Sequence, residues 1–493
     1  MQVRLIAAAL AAVYAHSALA ANAFELKPVE HASVTMVERY TLDVPASEYV
    51  PYNGKFKAAF PKGLPLAIGS GLRFKGYEKD ASLSFWALTD RGPNGDSPRV
   101  KTGDKTSPSK VFLAPEFAPR IGIINVQLAD AARLVSSMPL KQDGKPISGR
   151  PVNPDSSGSS REIPLSDELK PLKFDDFGMD PEGIDFDKQG NLWISDEYGP
   201  VIAQVDAKSG EFMQQYLPGA GLPEVIGSRQ PNRGLEGIAV EPSGRVMAIV
   251  QSTLDINKET RGTAQFLRMV ELDPKTGATR MFAYPHDVAD YKKSGDAKIG
   301  DLIAIDDNRF LLIEQGKDKQ KRMRNIVYLV DILGADDLSG RKLPNGKELE
   351  YADAKALSEL QTGGGVQGSS NVVSAGTSGG LKMVRKTKLF DLRDFGWEPE
   401  KAEGIAIVGE IGKFGDATQL AFINDNDFGL KGKINGKDED PEAYTVDASG
   451  KLSDEQGNPA AASYEVSQND AAERDTQLWF VHLKKPLKDF FPK

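Results

Sequence analysis

The sequence contains no cysteine and only four histidines among its 493 residues. Without cysteine the chain can form no disulfide, no catalytic thiolate and no zinc–thiolate site. The histidines, at His16, His31, His286 and His482, are scattered and form no His-x-His or His-x-x-x-His pair. Oxygen ligands are therefore the abundant metal-binding groups, and they suit calcium or magnesium.

Long hydrophobic runs and an excess of basic residues are also missing. Beyond the first twenty residues, no stretch approaches the length that a transmembrane helix needs. The formal net charge of -9 argues against nucleic acid as a partner, because neutralising phosphates requires a basic surface. We therefore expect neither a membrane span nor nucleic-acid binding.

The N-terminus is typical of a secretory signal. Arg4 precedes a short run of small apolar residues, and Ala18-Leu-Ala20 has the small-x-small form of a signal-peptidase site. This pattern predicts a signal peptide over residues 1–20, with Ala21 as the first mature residue. The mature protein is then expected in a periplasm or outside the cell, held together by core packing and metal rather than by disulfides.

The tripeptide Glu-Gly-Ile occurs three times, at Glu182, Glu236 and Glu403, and each copy opens a segment typical of strand, turn and strand. The block from Asp301 to Glu314 follows the same plan, with Asp in place of the opening Glu. Two antiparallel strands joined by a short turn bring the first residue of one beside the last residue of the other. Such hairpins arranged radially form a β-propeller with their acidic ends around one channel. The sequence thus predicts an all-β propeller.

We expect about six blades, within a range of five to seven. A blade near the N-terminus is indicated by Gly71-Leu72, which takes the place of the acid-Gly-Ile opening, and by Thr89-Asp-Arg-Gly-Pro93. The stretch from Lys110 to Leu140 either completes that blade or belongs to a sixth.

The ends of the chain are expected to close the ring. The final strand, Gln477 to Leu483, is predicted to pair with an N-terminal strand such as Ser33 to Val44, which covers edges that would otherwise stay open. We expect residues 21–493 to form a single domain, with loop insertions at about 343–380 and 431–475, where the sequence is polar or rich in Gly and Ser.

The recurring acids are the first candidates for a functional site. Glu182, Glu236 and Glu403 are predicted to line a common polar site, although each acid-Gly turn would by itself only shape the start of a strand. The expected strand-end partners are Asp90, Asp196 and Asp425. Carboxylates crowded in one place repel one another unless a cation relieves them. We expect calcium, with magnesium as the alternative; a metal-free Asx turn is the alternative interpretation at Asp425.

Basic residues beside these acids suit an anionic substrate. Arg91 follows Asp90, Arg233 precedes Glu236, and Arg322 and Arg324 follow the block that ends at Glu314. The arginine guanidinium has the planar geometry that holds phosphate or carboxylate oxygens. The alternative is that these arginines only neutralise the neighbouring carboxylates as ion pairs.

Three motifs resemble those of the bacterial phytase-like family, which is described as having esterase-like activity of phytase: Asp180-Pro-Glu-Gly-Ile184, Ile194-Ser-Asp-Glu-Tyr-Gly-Pro200 and Asn232-Arg-Gly-Leu-Glu-Gly-Ile238. The resemblance spans roughly Gly69 to Leu483. It implies a secreted or periplasmic propeller that hydrolyses phosphate or other esters. The positions it carries over are Glu182, Asp196, Glu197, Arg233, Glu236 and Glu403.

This resemblance leads us to expect a phosphoester hydrolase. Calcium held by the carboxylates of Glu182, Asp196, Glu236, Glu403 and Asp425 is expected to orient a small anionic ester and activate water. The expected catalytic residues are Glu236, Arg233, Glu197 and Arg91, with the two arginines stabilising charge. A carboxylester or lactone hydrolase on the same propeller, and a propeller that binds without catalysis, remain open alternatives. We expect a monomer.

Overall fold

The computed structural model describes residues 24–156, 159–360, 380–436, 439–454 and 456–492. The predicted signal peptide and residues 361–379 of the first predicted insertion lie outside this part of the chain. No helix in these ranges combines the length and apolar character needed to cross a bilayer.

The structure is almost entirely β. In chain order its strands are β1 (Phe24–Pro28), β2 (Val34–Asp43), β3 (Gly71–Tyr77), β4 (Leu83–Leu88), β5 (Asn94–Asp96), β6 (Arg99–Thr102), β7 (Lys105–Ser107), β8 (Ser109–Phe112), β9 (Arg120–Gln127), β10 (Ala131–Pro139), β11 (Lys141–Gln142), β12 (Lys145–Pro146), β13 (Ile163–Leu165), β14 (Pro181–Phe186), β15 (Leu192–Asp196), β16 (Val201–Val205), β17 (Phe212–Pro218), β18 (Gly221–Leu222), β19 (Leu235–Val240), β20 (Val246–Val250), β21 (Phe266–Leu272), β22 (Thr279–Pro285), β23 (Lys298–Ala304), β24 (Arg309–Lys317), β25 (Met323–Asp331), β26 (Arg385–Asp391), β27 (Gly404–Val408), β28 (Gln419–Ile423), β29 (Leu430–Ile434), β30 (Thr445–Val446), β31 (Leu452–Ser453), β32 (Tyr464–Gln468) and β33 (Gln477–Leu483).

Helical structure is limited to short pieces. The α-helices of the described residues are α1 (Ala354–Glu359) and α2 (Ala471–Arg474). Single 3-10 turns occupy Ala46–Glu48, Glu224–Ser228, Ile256–Lys258, Ser294–Asp296, Leu349–Tyr351, Leu392–Phe395, Phe414–Asp416, Asp427–Gly429, Pro441–Ala443 and Leu487–Phe490.

Five four-stranded antiparallel blades surround one channel in the described part of the chain. From the channel outward, they are blade 1 (β3, β4, β9, β10), blade 2 (β14 to β17), blade 3 (β19 to β22), blade 4 (β23 to β26) and blade 5 (β27, β28, β33, β2). The innermost strands of neighbouring blades are in contact around the whole ring. The predicted all-β propeller is therefore confirmed.

The described residues form five blades, within the predicted range but one below the expected six. The stretch from Lys110 to Leu140 contains β9 and β10, and β9 pairs with β4. This stretch therefore completes the first blade and does not begin a sixth.

The tight turns inside the blades are built by the residues that the sequence places there. In blade 2, Asp187 accepts hydrogen bonds from the backbone nitrogens of Gln189 and Asn191, both at 2.9 Å. Gly190 follows with a φ of 85°, a conformation that favours glycine. This Asx turn joins β14 to β15 and fixes their register.

Both ends of the chain lie in the fifth blade. β33 is its third strand and β2 its fourth, and the two pair antiparallel from Val34–Leu483 to Thr41–Gln477. A short parallel pairing of β2 with β10 then joins blade 5 to blade 1. The predicted closure of the ring by the terminal strands is confirmed.

The second predicted insertion has structure of its own. Residues 431–475 lie between β28 and β33 of blade 5 and contain short strands. Thr445 of β30 pairs with Arg99 of β6, which belongs to the long connection between β4 and β9. The insertion is thereby tied to blade 1. The division of the chain into one domain with two loop insertions stays a prediction.

Glycines let the inner strands approach closely. A Cβ atom on Gly183 would lie 2.7 Å from the carbonyl oxygen of Glu236, and one on Gly237 would lie 2.5 Å from the backbone nitrogen of Leu302. Such contacts cannot be accommodated without moving the backbone of the next blade. The glycine of the Glu-Gly-Ile repeat is therefore explained by packing between blades.

Arg73, on the inner strand of blade 1, ties all five blades together. Its guanidinium donates to Asp301 Oδ2 at 2.7 Å and to the carbonyl oxygen of Ile405 at 2.8 Å. It also donates to the carbonyl oxygen of Ile238, and its Nε lies 3.6 Å from Asp185 Oδ2. The side chain is 1% exposed. It therefore crosses the channel and closes it at this level.

Replacing Arg73 by Met is expected to lower the free energy of unfolding by about 3–5 kcal/mol, because it leaves Asp301 and Asp185 buried without their counter-charge. Urea unfolding measures this loss. The matched control is Arg133→Met, since Arg133 is 65% exposed and 3.6 Å from Asp43, and its effect should stay within about 0.5 kcal/mol. Equal effects for the two variants would contradict the structural role of Arg73.

Candidate functional site

Two positions in every blade meet at one end of the channel. The first position precedes a residue of the inner strand that is glycine in every blade except blade 4. The second position lies two residues beyond the partner of that residue on the neighbouring strand, so the antiparallel pairing sets the two positions side by side. From blade 1 to blade 5, the first position is Ser70, Glu182, Glu236, Gly300 and Glu403, and the second is Asp90, Glu197, Gln251, Gln315 and Asp425.

The prediction that Asp301 stands in place of the opening Glu is wrong. Gly300 occupies that position, and Asp301 lies where the other blades have glycine. Asp301 pairs with Ile313 as Gly183 pairs with Ser195, so matching the motif by its acid puts this blade one residue out of register. Asp301 instead accepts a hydrogen bond from the backbone nitrogen of Ile405 at 2.9 Å and pairs with Arg73.

Glu182, Glu236 and Glu403 form the central glutamate cluster. Each offers a carboxylate oxygen that lies within 4.8 Å of the other two. All three side chains are buried, and Glu182 Oε2, Glu236 Oε1 and Glu403 Oε2 have no hydrogen-bond partner. The structure therefore brings together the three acids that the repeat singled out.

Two glutamines orient this cluster. Gln251 Nε2 donates to Glu236 Oε2 at 2.8 Å, and Gln315 Nε2 donates to Glu403 Oε1 at 2.9 Å. Each amide therefore holds one carboxylate oxygen and leaves the other facing the centre. The sequence analysis assigns no role to Gln315, although Gln315 directly follows the block that ends at Glu314.

The central glutamate cluster is electrostatically crowded. Burial, and then neighbouring carboxylates, raise the pKa of Glu182 and of Glu236 well above the usual range. Burial also raises the pKa of Glu403 to about 8, even though Lys401 opposes the shift. Part of the cluster is therefore protonated at neutral pH unless a further cation is bound.

A second cluster shares Glu182 with the first. Asp180, Glu182 and Glu197 also present oxygens within 4.8 Å of one another, and all three are buried. Glu197 Oε2 accepts a hydrogen bond from Asn232 Nδ2 at 3.0 Å. Burial raises the pKa of Glu197 well above its usual range, with Asp180 as the next cause.

A third cluster, formed by Asp90, Asp425 and Asp427, already has a cation of the protein's own. Lys401 Nζ lies 2.8 Å from Asp425 Oδ2 and 3.0 Å from Asp427 Oδ1, and it is 3.5 Å from Glu403 Oε2. The Lys401 ammonium thus links the third cluster to the central one.

Asp196 lies outside the three clusters of the described residues. Its carboxylate accepts hydrogen bonds from the backbone nitrogens of Asp180, Tyr198 and Gly199, at 2.8, 3.2 and 2.9 Å. Burial raises its pKa to about 7. In this geometry Asp196 shapes the chain that carries Asp180 and Glu197.

The two predicted arginines differ in their partners. Arg91 lies 2.9 Å from Glu162 and 3.5 Å from Asp180, so it forms ion pairs. Arg233 has no carboxylate within 4.0 Å among the residues described; its Nη1 donates to Ser252 Oγ at 3.2 Å and to the carbonyl oxygen of Gly295. Arg322 and Arg324 pair with Asp318 and Asp391 and take no part in these clusters.

Lys298 and Lys401 are functional candidates that sequence reasoning missed. In blades 4 and 5 they stand two residues before the first position of the site, where blade 2 has Asp180. Lys298 is electrostatically coupled to Glu197 and Glu403, and burial lowers its pKa. Part of the signal was available in the sequence, since aligning Gly183 with Gly404 places Lys401 in the column of Asp180. Lys298 joins that column only when Asp301 takes the place of the glycine.

The residues present fit a divalent cation. The central glutamate cluster offers three buried carboxylate oxygens that accept no hydrogen bond, one of which, Glu403 Oε2, has Lys401 Nζ at 3.5 Å. Oxygens on opposite sides of a calcium ion are about 5 Å apart. A donor set made only of oxygen favours calcium or magnesium over softer metals. The buried acidic clusters could therefore bind a metal ion.

In the presence of a chelator, the protein is expected to lose stability as pH rises from 6.5 to 8.5. Glu403 has a pKa of about 8 in the folded protein against an ordinary value of 4.5. In this window the folded state keeps a proton that the unfolded chain has released, so the free energy of unfolding falls with pH. Thermal unfolding followed by circular dichroism at successive pH values measures the effect.

Calcium should flatten that pH dependence, because only deprotonated carboxylates bind the ion. Glu403→Gln is the matched variant, and its stability should fall less steeply in chelator. Measurements above pH 6.5 avoid His286, whose pKa burial lowers to about 4 and whose effect has the opposite sign. A chelated protein equally stable at pH 6.5 and 8.5 would contradict the expectation.

The solved structures that resemble this chain share little sequence identity with it. One is a protein from Lactobacillus plantarum, with 8% identity over 92% of this chain and 98% of that chain and a TM-score of 0.31. Another is virginiamycin B lyase from Staphylococcus aureus, with 11% identity over 81% of this chain and 99% of that chain and a TM-score of 0.24. A third is the α-L-arabinofuranosidase PaAbf62A from Podospora anserina, with 10% identity over 91% of this chain and 97% of that chain and a TM-score of 0.33. At these identities and scores, nothing about activity follows from them. No curated protein matches the chain.

A family profile gives a specific match. The profile described as "Phytase-like: Esterase-like activity of phytase" matches residues 69–428. That range begins just before β3 and includes the inner strands of all five blades and the three acidic clusters. The protein therefore belongs to the phytase-like family, described by its esterase-like activity of phytase.

Proposed function

We propose that the protein hydrolyses small phosphoesters with the help of a divalent cation, calcium before magnesium, held by the central glutamate cluster. The observation that supports this most directly is the set of three buried oxygens on Glu182, Glu236 and Glu403 that accept no hydrogen bond. Membership of the phytase-like family supports a hydrolase in general. The choice of phosphoesters among the possible esters is our own inference.

The cation, when bound, would polarise a phosphoryl oxygen and favour ionisation of water. Glu236 would hold it, with the Gln251 amide fixing the orientation of the carboxylate. Asp425 would hold the Lys401 ammonium beside Glu403 through their ion pair. Asp196 would contribute by holding the backbone at Tyr198 and Gly199, directly after Glu197.

Arg233 would bind the anionic part of the substrate. It is half-buried, and no carboxylate of the described chain lies within 4.0 Å to neutralise it. Its guanidinium therefore retains donors for phosphate oxygens. Arg91 would add positive charge beside Glu197 and Asn232, where its Nη1 donates to Asn232 Oδ1 at 3.2 Å. These residues would stabilise the charge that develops in the transition state.

The test is hydrolysis of a small panel by purified protein, first with calcium and then with a chelator. The panel contains one aryl phosphate, phytate and one aryl acetate. We expect phosphate release that needs calcium and stops in chelator. Magnesium in place of calcium tests the choice of ion.

Other outcomes of the panel are equally informative. Hydrolysis of the acetate alone would replace the proposal by a carboxylester or lactone hydrolase on the same propeller. Absence of turnover on all three, in a folded protein, would favour a propeller that binds without catalysis. Phosphate release unaffected by chelator would remove the cation from the mechanism.

Two further expectations belong with this proposal. We propose that the protein acts as a monomer and that it works in the periplasm or outside the cell. Size-exclusion chromatography with light scattering tests the first, and fractionation of producing cells tests the second.

A further inference from the structure

Glu182 is the least satisfied carboxylate of the site. The side chain is 5% exposed, and its Oε2 has no hydrogen-bond partner. No lysine or arginine of the described residues lies within 4.0 Å of it, unlike Glu403, which has Lys401 at 3.5 Å. A buried carboxylate left in this state is costly, so its position calls for a ligand.

Glu182 also belongs to two of the acidic clusters. It lies within 4.8 Å of ligand oxygens on Glu236 and Glu403, and within the same distance of ligand oxygens on Asp180 and Glu197. A carboxylate has two oxygens and can therefore serve two cations at once. We propose that Glu182 bridges two divalent cations, one shared with Glu236 and Glu403 and the other shared with Asp180 and Glu197.

Side chains of the described residues neutralise the second cluster only in part. Arg91 is 3.5 Å from Asp180 Oδ2 but is bound more closely to Glu162, at 2.9 Å. Glu197 receives one neutral amide donor, from Asn232. The third cluster differs, because the Lys401 ammonium lies within 3.0 Å of two of its carboxylates. We therefore expect cations in the first two clusters and none in the third.

This inference rests on the proposed function for the first cation and adds the second. Two cations about 4 Å apart form a known arrangement for phosphoester hydrolysis, because together they can stabilise both the attacking and the leaving oxygen. The inference adds Asp180 to the predicted site and gives Glu197 the role of a metal ligand.

Manganese binding tests the proposal without reference to activity. Electron paramagnetic resonance counts the bound Mn²⁺ ions and shows whether two of them are close enough to couple. Wild-type protein, freed of metal by chelator and dialysed, should bind a coupled pair. Glu197→Gln and Glu403→Gln should each lose one ion and the coupling, and Glu182→Gln should lose both ions.

The matched control is Glu314→Gln. Glu314 is buried, pairs with Lys386 at 3.0 Å and lies outside the three clusters, so this variant should keep the coupled pair. Thermal unfolding verifies that every variant is folded. If Glu197→Gln does not fold, Asp180→Asn tests the same cluster.

The outcomes separate the two proposals. A single ion that is lost in Glu403→Gln and kept in Glu197→Gln would overturn the bridging role of Glu182 and leave the proposed function standing. Absence of any ion dependent on these glutamates would overturn both. A coupled pair in a protein that hydrolyses no ester would support this inference and defeat the proposed function.

Discussion

A chain that ends at Thr476 is expected to accumulate as insoluble protein. The missing residues include β33, which lies between β28 and β2 in blade 5. Its removal exposes two unpaired strand edges and withdraws Leu478, Phe480 and Val481, all fully buried, from the core. Unpaired apolar edges are templates for aggregation. Fractionation of expressing cells, with circular dichroism of any soluble material, measures the result.

A shorter truncation is the control. A chain that ends at Phe491 keeps β33 and the turn Leu487–Phe490, whose Leu487 is fully buried. It should remain soluble and unfold at nearly the wild-type temperature. A soluble, cooperatively unfolding chain that ends at Thr476 would show that four blades and an incomplete fifth suffice for folding.

Replacing Glu236 by Gln is expected to abolish turnover without unfolding the protein. Mutating residues that only support a metal ligand already costs about 10–100-fold in many enzymes, so loss of a direct ligand should lower kcat/KM by about 100-fold or more. The pKa of Glu236 is raised well above its usual range by burial, which means that the folded protein disfavours the charge. The neutral side chain should therefore leave the metal-free melting temperature unchanged or raise it.

Glu241→Gln is the matched control for that experiment. Glu241 follows the other end of the same strand, is 2% exposed, and has a pKa raised to about 8, chiefly by burial. Glu241 pairs with Arg245 at 2.8 Å and lies outside the three acidic clusters, so its replacement should leave turnover intact. Unchanged turnover in Glu236→Gln would remove Glu236 from the mechanism.

The architecture could be predicted from a short repeat because each part of the repeat has a physical cause. Glu182 and its counterparts begin inner strands, and the glycine after each is required by contact with the next blade. The terminal strands were identifiable because an apolar strand at each end of a propeller has few other partners. The blade count was harder, since β9 and β10 follow β4 only after a long connection and carry no acidic motif.

The residue types of the site could be predicted from the sequence, but the position of each residue along its strand could not. Blade 4 has Asp301 where the other blades have the glycine of the repeat, so matching the motif by its acid places Asp301 one residue out of register. Glu197 shares its position with Asp90 and Asp425, but the neighbouring Asp196 resembles them more closely in residue type, so the sequence favours Asp196. The burial of Lys298 and Lys401 beside Glu197 and Glu403 follows only from the folded chain.

Arg73 determines how solutes can move through the propeller. It lies on β3, about three residues beyond the level of the glutamates and roughly 10 Å further along the channel. Its contacts with the other four blades block the channel at that level. In the proposed reaction, alcohol and inorganic phosphate must leave by the route through which the ester entered. Accumulated phosphate would then compete with incoming ester, so product inhibition is built into the architecture.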